Sequence, residues 1–128
     1  MSLRGIRGAT TVGANYVEDI LNSTRELLEA LQTENGFVPE DLAAIWFTVT
    51  GDLNAAFPAQ AARKLGWRDV PLLDALEIPV PASLAQCIRV LVLWNTEVSQ
   101  SAIRHVYLRG AEVLRPDIVK PLTREESK

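Results

Sequence analysis

The sequence predicts an α+β fold of the α/β type: a mixed five-stranded sheet packed against one long helix and short helical turns. Three observations carry this. One stretch has sustained helical spacing, with Val17, Ile20, Leu21, Thr24, Leu27, Leu28 and Leu31 on a single stripe. About five short apolar or β-branched runs follow one another between glycine and proline breaks. One of these runs, CIRVLVLWN at residues 87–95, is apolar on both of its faces, which places it in the middle of the sheet. One helix covers only one face of such a sheet, so a second copy of the chain is expected to cover the other.

The first run, LRGIRGATTV, gathers β-branched residues at its end and reads as a strand. The helix should run from about Asn15 to Asn35, with Asn15 as N-cap and Glu18 completing a capping box. Asn35-Gly36 stops it, because glycine takes the left-handed conformation at low cost. Pro39, Glu40 and Asp41 suggest a helical turn that opens on proline. Residues 43–50 read as a buried strand broken by Gly51-Asp52, and a short helix is expected from Pro58 to Gly66. Residues 70–76 form the next strand, and Pro79-Val80-Pro81 an extended connection. A helical turn is expected at 99–103, a strand at 104–109, and, beyond Gly110, a last short strand at 111–114. These make one domain over residues 1–117, with a mobile polar tail at 118–128.

A chain of 128 residues with 48% hydrophobic content holds one domain with a real core. A single cysteine, Cys87, forms no internal bridge, and a reducing cytoplasmic setting is the simplest expectation. No signal-peptide pattern and no membrane-length apolar run are visible. The net charge of −3 speaks against nucleic acid as the main partner. There is no glycine-rich phosphate loop, no metal-ligand spacing, and no evident serine, histidine and acid set. Neither a cofactor nor a metal is expected.

The arginines stand out: ten against three lysines, several inside apolar runs. Arginine is favoured where a carboxylate or phosphate is gripped by a planar fork, although compositional bias of the source is the alternative. Arg89 lies in the middle of the most apolar run, where an unpaired charge costs on the order of several kcal/mol. It must therefore meet an internal acid, a ligand anion or solvent in a pocket. Arg7 repeats this in the first strand, between Ile6 and Gly8. Arg115 follows an apolar segment and precedes proline, and Arg63 lies on the short helix, where a solvated face is its plain reading. Glu77, three residues after Asp74 in an apolar run, either partners an arginine or binds a ligand hydroxyl. Tyr107, His105, Cys87 and the tryptophans read as structural. A pocket rich in arginine without a nucleophile or base suits anion binding or a reaction driven by positioning and electrostatics.

RGIRGATTV at residues 4–12, FPAQAAR at 57–63, CIRVL at 87–91 and IRHVYLRGAEVLRPD at 103–117 resemble the trimeric, monofunctional α/β class of bacterial chorismate mutase. The likeness covers nearly the whole chain. It implies a homotrimer with a barrel-like core and active sites between subunits, which rearranges chorismate to prephenate for phenylalanine and tyrosine synthesis. It implies no cofactor, no covalent intermediate, and neither nucleic acid nor membrane as partner. By resemblance, Arg89 faces the ether oxygen of the breaking bond and Glu77 binds the ring hydroxyl. Arg7 and Tyr107 hold a substrate carboxylate, Phe57 is a pocket wall, and the backbone of Leu73 and Asp74 contacts the ligand. Arg63, Leu114 and Arg115 lie at the mouth. Two positions depart from the family pattern: Gln60 replaces a lysine and Asp74 a cysteine. A non-catalytic small-anion-binding trimer is the rival reading, and a deaminase-like trimer a third.

Overall fold

The computed structural model describes residues 2–115. The expected tail at 118–128, and the end of the expected domain at 117, lie outside the described residues. Strands β1 (Ser2–Thr11), β2 (Leu42–Val49), β3 (Leu72–Leu76), β4 (Cys87–Thr96) and β5 (Val106–Tyr107) form one sheet in the order β3-β2-β4-β1-β5. β4 is central, antiparallel to both β1 and β2, while β3 and β5 join the two flanks in parallel. Helix α1 (Val17–Asn35) and the short α2 (Ala59–Lys64) lie together on one face.

Burial along the strands alternates, as a sheet covered on one side requires. Ile88, Val90, Val92 and Trp94 of β4, Ile6 of β1, and Ile45 and Phe47 of β2 are buried with Ile20, Leu27, Leu28 and Leu31 of α1. The other face is open over most of its extent, while at one end Ala9 and Cys87 are buried under Tyr107, Ala111 and Leu114. Trp46 and Leu73 are 53% and 54% exposed there, with Leu91 and Leu93 half-buried between the strands. The run at 43–50 is thus buried on one face only. The expectation of one uncovered face holds within this chain.

Several local expectations change. α1 ends as predicted, with Gly36 at φ 79° and its N–H donating to Gln32 O. It starts later, with Tyr16 at the N-cap and no side-chain cap. Asn15 instead brackets another loop: its Oδ1 accepts from the N–H groups of Asn54 and Ala55, each at 3.0 Å. Loop tethering outcompetes capping because two backbone donors outnumber one. Val17 is half exposed and leaves the buried stripe. β5 is only two residues long, and the segment predicted as a strand at 111–114 is a 3₁₀ helix, Arg109–Leu114. Arg109 takes φ 53°, and the next N–H, of Gly110, donates to Thr11 Oγ1 at 3.1 Å. That reversal turns the chain back over Thr11 and ends the strand. β3 begins at Leu72 rather than Val70, because Pro71 has no N–H for a ladder.

α1 crosses β1 at Gly8, where an added Cβ would lie 3.1 Å from Leu31 Cδ1, Val106 O and Val90 Cγ1. One of those neighbours is backbone and cannot swing aside. Gly8→Ala should therefore destabilise the fold by about 1–3 kcal/mol in urea titration. Gly13→Ala, with nothing within 4 Å, should stay within about 0.5 kcal/mol of the parent.

Candidate active site

The strand register assembles a polar cluster at the centre of the open face. In β4, Arg89 stands opposite Ala9 of β1 on one side and Thr48 of β2 on the other. Arg7 lies two residues before Ala9, so it shares that face, diagonal to Arg89. Glu77 continues β3 by one residue, its N–H donating to Val49 O at 2.8 Å. Together with Trp46, Val90 and Leu91, these residues line an open cleft of about 400 Å³.

Thr48 Oγ1 donates to Glu77 Oε1 at 2.6 Å, and Arg89 Nη1 stands 3.4 Å from the same oxygen. The first is a short, strong hydrogen bond; the second is longer than a tight charge-assisted one. The Glu77 carboxyl is accordingly held below the usual carboxylate range, first by the Thr48 hydroxyl. Partial burial works the other way, and the Arg89 charge adds to the lowering. Glu77 is therefore ionised at neutral pH. Among the described residues, Glu77 is the only acid within salt-bridge distance of the Arg89 guanidinium. The cleft thus offers two guanidinium groups, one ionised acid and an apolar rim. It can grip an anion and place positive and negative charge at fixed points. The adjacent Cys87 is buried, which pushes its thiol pKa up and leaves it unfit as a nucleophile. Among the described residues no group of three or more histidine, cysteine or acidic side chains could hold a metal ion.

The other residues singled out in the sequence are dispersed. Leu73 is exposed on the open face at the sheet edge. Phe57, 65% exposed, and Asp74 line a separate, more apolar cleft of about 610 Å³ beside β3, with Leu53, Gln60 and Leu76. Asp74 Oδ1 accepts the Ala59 N–H at 3.1 Å, so the side chain secures the start of α2. Burial raises its pKa, against the lowering effects of that N–H and of Arg63. Arg63 stands on the exposed side of α2 beside Lys64 and Arg68. Tyr107 is buried with Ala9, Cys87 and Ala111, and Leu114 packs against that cluster. Arg115 is exposed at the end of the described chain. One chain therefore joins Arg7, Glu77 and Arg89 and holds Phe57, Asp74 and Arg63 elsewhere. No motif in the sequence singles out Thr48. The signal for it was the alternation of its strand, which puts it on the face of Trp46, but its partner depends on register that the sequence does not display.

The family model for chorismate mutase type I matches residues 3–118. The chain is 56% identical to chorismate mutase AroH of Thermus thermophilus, over 91% of this chain and 96% of that protein. It is 48% identical to chorismate mutase AroH of Bacillus subtilis (strain 168), over 92% and 94% respectively. A solved structure of chorismate mutase from Clostridium thermocellum superimposes with a TM-score of 0.84 at 49% identity, covering 85% of this chain and 97% of that one.

Removing the Thr48 hydroxyl takes away the strongest influence holding Glu77 ionised. Its pKa should rise in Thr48→Val and return towards the parent in Thr48→Ser, as read by NMR titration of the Glu77 carboxyl.

Proposed function

The chain belongs to the chorismate mutase type I family and is a chorismate mutase, and from that premise we propose that Arg89 and Glu77 carry the rearrangement in the open-face cleft. In this reading Arg89 faces the ether oxygen of chorismate. Negative charge gathers there as the C–O bond lengthens, so a fixed guanidinium binds the transition state more strongly than the substrate. Glu77 accepts the ring hydroxyl and complements the positive charge that develops on the ring. Arg7 and Tyr107 hold a substrate carboxylate. No proton or electron pair passes to the protein, and the product, prephenate, leads towards aromatic amino acids.

The observation that carries this reading is the state of Arg89. It sits mid-strand in the central strand with its side chain 18% exposed. Its acid neighbour stands at a loose 3.4 Å and is already satisfied by Thr48. A guanidinium desolvated this far and paired this weakly is poised for a ligand anion.

The site becomes complete, in our reading, in a homotrimer. Two features support this. The open face carries Leu3, Trp46 and Leu73 at half exposure or more. The expected site residues also split into two groups within a chain, so Phe57, Arg63 and the Asp74 segment of a neighbouring copy would close the cleft around Arg89. Leu114 and Arg115 then lie at its mouth. We place the enzyme in the cytoplasm as one domain over residues 1–117; no described helix is long and apolar enough to cross a membrane.

Loss of chorismate absorbance with formation of prephenate tests the activity directly. Arg89→Lys keeps the charge and loses the planar fork, so turnover should fall by a factor on the order of 10² or more. Near-normal turnover would remove Arg89 from the reaction. Sharing of sites is tested by co-refolding Arg89→Lys with Arg63→Ala. If Arg63 reaches the neighbour's Arg89, roughly a quarter of the sites in the mixture regain both groups, so activity should exceed the sum of the separate variants. No gain would show that Arg63 does not complete a neighbour's site.

A further inference from the structure

Beyond the cleft, the outer edge of β1 carries an unusual substitution of side chain for strand. The β1–β4 ladder runs along one side of β1, and β5 joins the other side only at Gly8 and Ala9. One residue earlier, the N–H of Arg7 has no strand partner. It donates instead to Nδ1 of His105, at 2.9 Å. A nitrogen that accepts carries no proton, so this bond requires the neutral imidazole with its hydrogen on Nε2.

The imidazole is itself braced. Asn35, at the end of α1, brackets the backbone of the preceding residue: its Nδ2 donates to Arg104 O at 2.8 Å, and its Oδ1 accepts the Arg104 N–H at 2.9 Å. A chain of contacts therefore runs from the helix terminus through Arg104 and His105 to the backbone of Arg7. The Arg7 side chain leaves that same residue into the cleft with Glu77 and Arg89.

We propose that His105 is a positioning residue for substrate binding: as a neutral imidazole it fixes the backbone of Arg7, and its protonation releases that residue and weakens capture of a substrate carboxylate. The inference rests on the reading that Arg7 binds that carboxylate. The surroundings fit it. Arg7 on β1, Arg104 on its own segment and Arg115 beyond the last turn bring positive charge, and Glu34 of α1 lines the same groove as the imidazole. Burial, followed by the charges of Arg115 and Arg7, holds its pKa below the usual histidine value of 6.5. The bond is therefore intact above that value and is lost as pH falls through the lowered one.

Steady-state KM and kcat for chorismate between pH 5 and 8 test this in the full-length enzyme. The substrate carboxylates stay ionised across that range. In the parent, KM should rise as pH falls, with kcat changing less. His105→Asn keeps an acceptor near Nδ1 without a titrating ring, so its KM should match the parent at pH 7.5 and stay flat towards acid. His105→Leu should raise KM at pH 7.5 by about tenfold, the effect of one lost hydrogen bond. That increase should vanish in an Arg7→Ala background. A purely structural histidine would lower Tm without this KM pattern. The proposal is overturned if His105→Asn keeps the parent's KM profile with pH, or if His105→Leu has parental KM while Arg7→Ala raises it. Parental KM in Arg7→Ala would instead remove the reading of Arg7 on which the proposal stands.

Discussion

A guanidinium in the central strand of a sheet governs the rest of this structure. Arg89 occupies β4 among Ile88, Val90 and Val92, all of which are buried against α1. Period-two alternation sends Arg89 to the other face. Had a second helix covered that face, the charge would have been sealed in a dry core at a cost of several kcal/mol (about 3–5 for a broken buried pair). The chain leaves the face open instead, and the polar cluster grows where covering structure is absent. An uncovered stretch of sheet and a polar cleft are thus two consequences of one residue's placement.

Electrostatic balance within the cleft follows from the same placement. A tightly bound acid would neutralise Arg89 and remove its effect on a ligand. Glu77 avoids this because its carboxylate is engaged first by Thr48, from the strand between Glu77 and Arg89. The hydroxyl keeps the acid charged, and the arginine stays only loosely attached. A neutral donor performs the orientation that a second cation would otherwise supply, so the site keeps its positive excess. Asp74 shows the contrasting outcome. It is also an acid near an arginine, but its oxygen is bound to the Ala59 N–H, and its work is to hold α2.

Periodicity makes much of this architecture legible in the sequence. The α1 stripe from Ile20 to Leu31, the central position of residues 87–95 and the glycine stop at Gly36 all express local rules and appear as expected, while Val17 falls outside the stripe. Arg89, Arg7 and Glu77 were recognisable as charges in apolar runs. Their meeting follows from pairing between strands far apart in sequence, such as Ala9 of β1 with Arg89 of β4, which periodicity does not encode. What could not be read were contacts in which a side chain replaces backbone. Asn15 looked like a cap and binds a loop. His105 looked inert and completes a strand edge. The segment after Arg109 looked like a strand, yet Arg109's positive φ and the Thr11 hydroxyl turn it into a helix. In each case a polar side chain with two possible partners chose the one brought close by tertiary structure.

Register is the feature on which the cleft's geometry finally depends. A slip of one residue in β4 would carry Arg89 under α1 and push Ile88 and Val90 into the open. Alternation alone opposes that slip, but a second device acts just before β4. The Asp52 carboxylate accepts the Gln86 N–H, with its oxygens at 3.0 and 3.2 Å, and also binds the Thr50 hydroxyl. That hydroxyl oxygen accepts the Cys87 N–H at 2.9 Å, and the Thr50 N–H returns to Cys87 O at 3.1 Å. The end of β2 and the beginning of β4 are thereby joined two residues before Arg89, with Gln86 at φ 49° where the chain enters the strand. Glycine would adopt that conformation more cheaply; the bonds on either side hold a larger residue there. The cluster of Thr48, Glu77 and Arg89 lies immediately beyond this joint, so the precision of the cleft comes from the turn that feeds it as much as from the strands that line it.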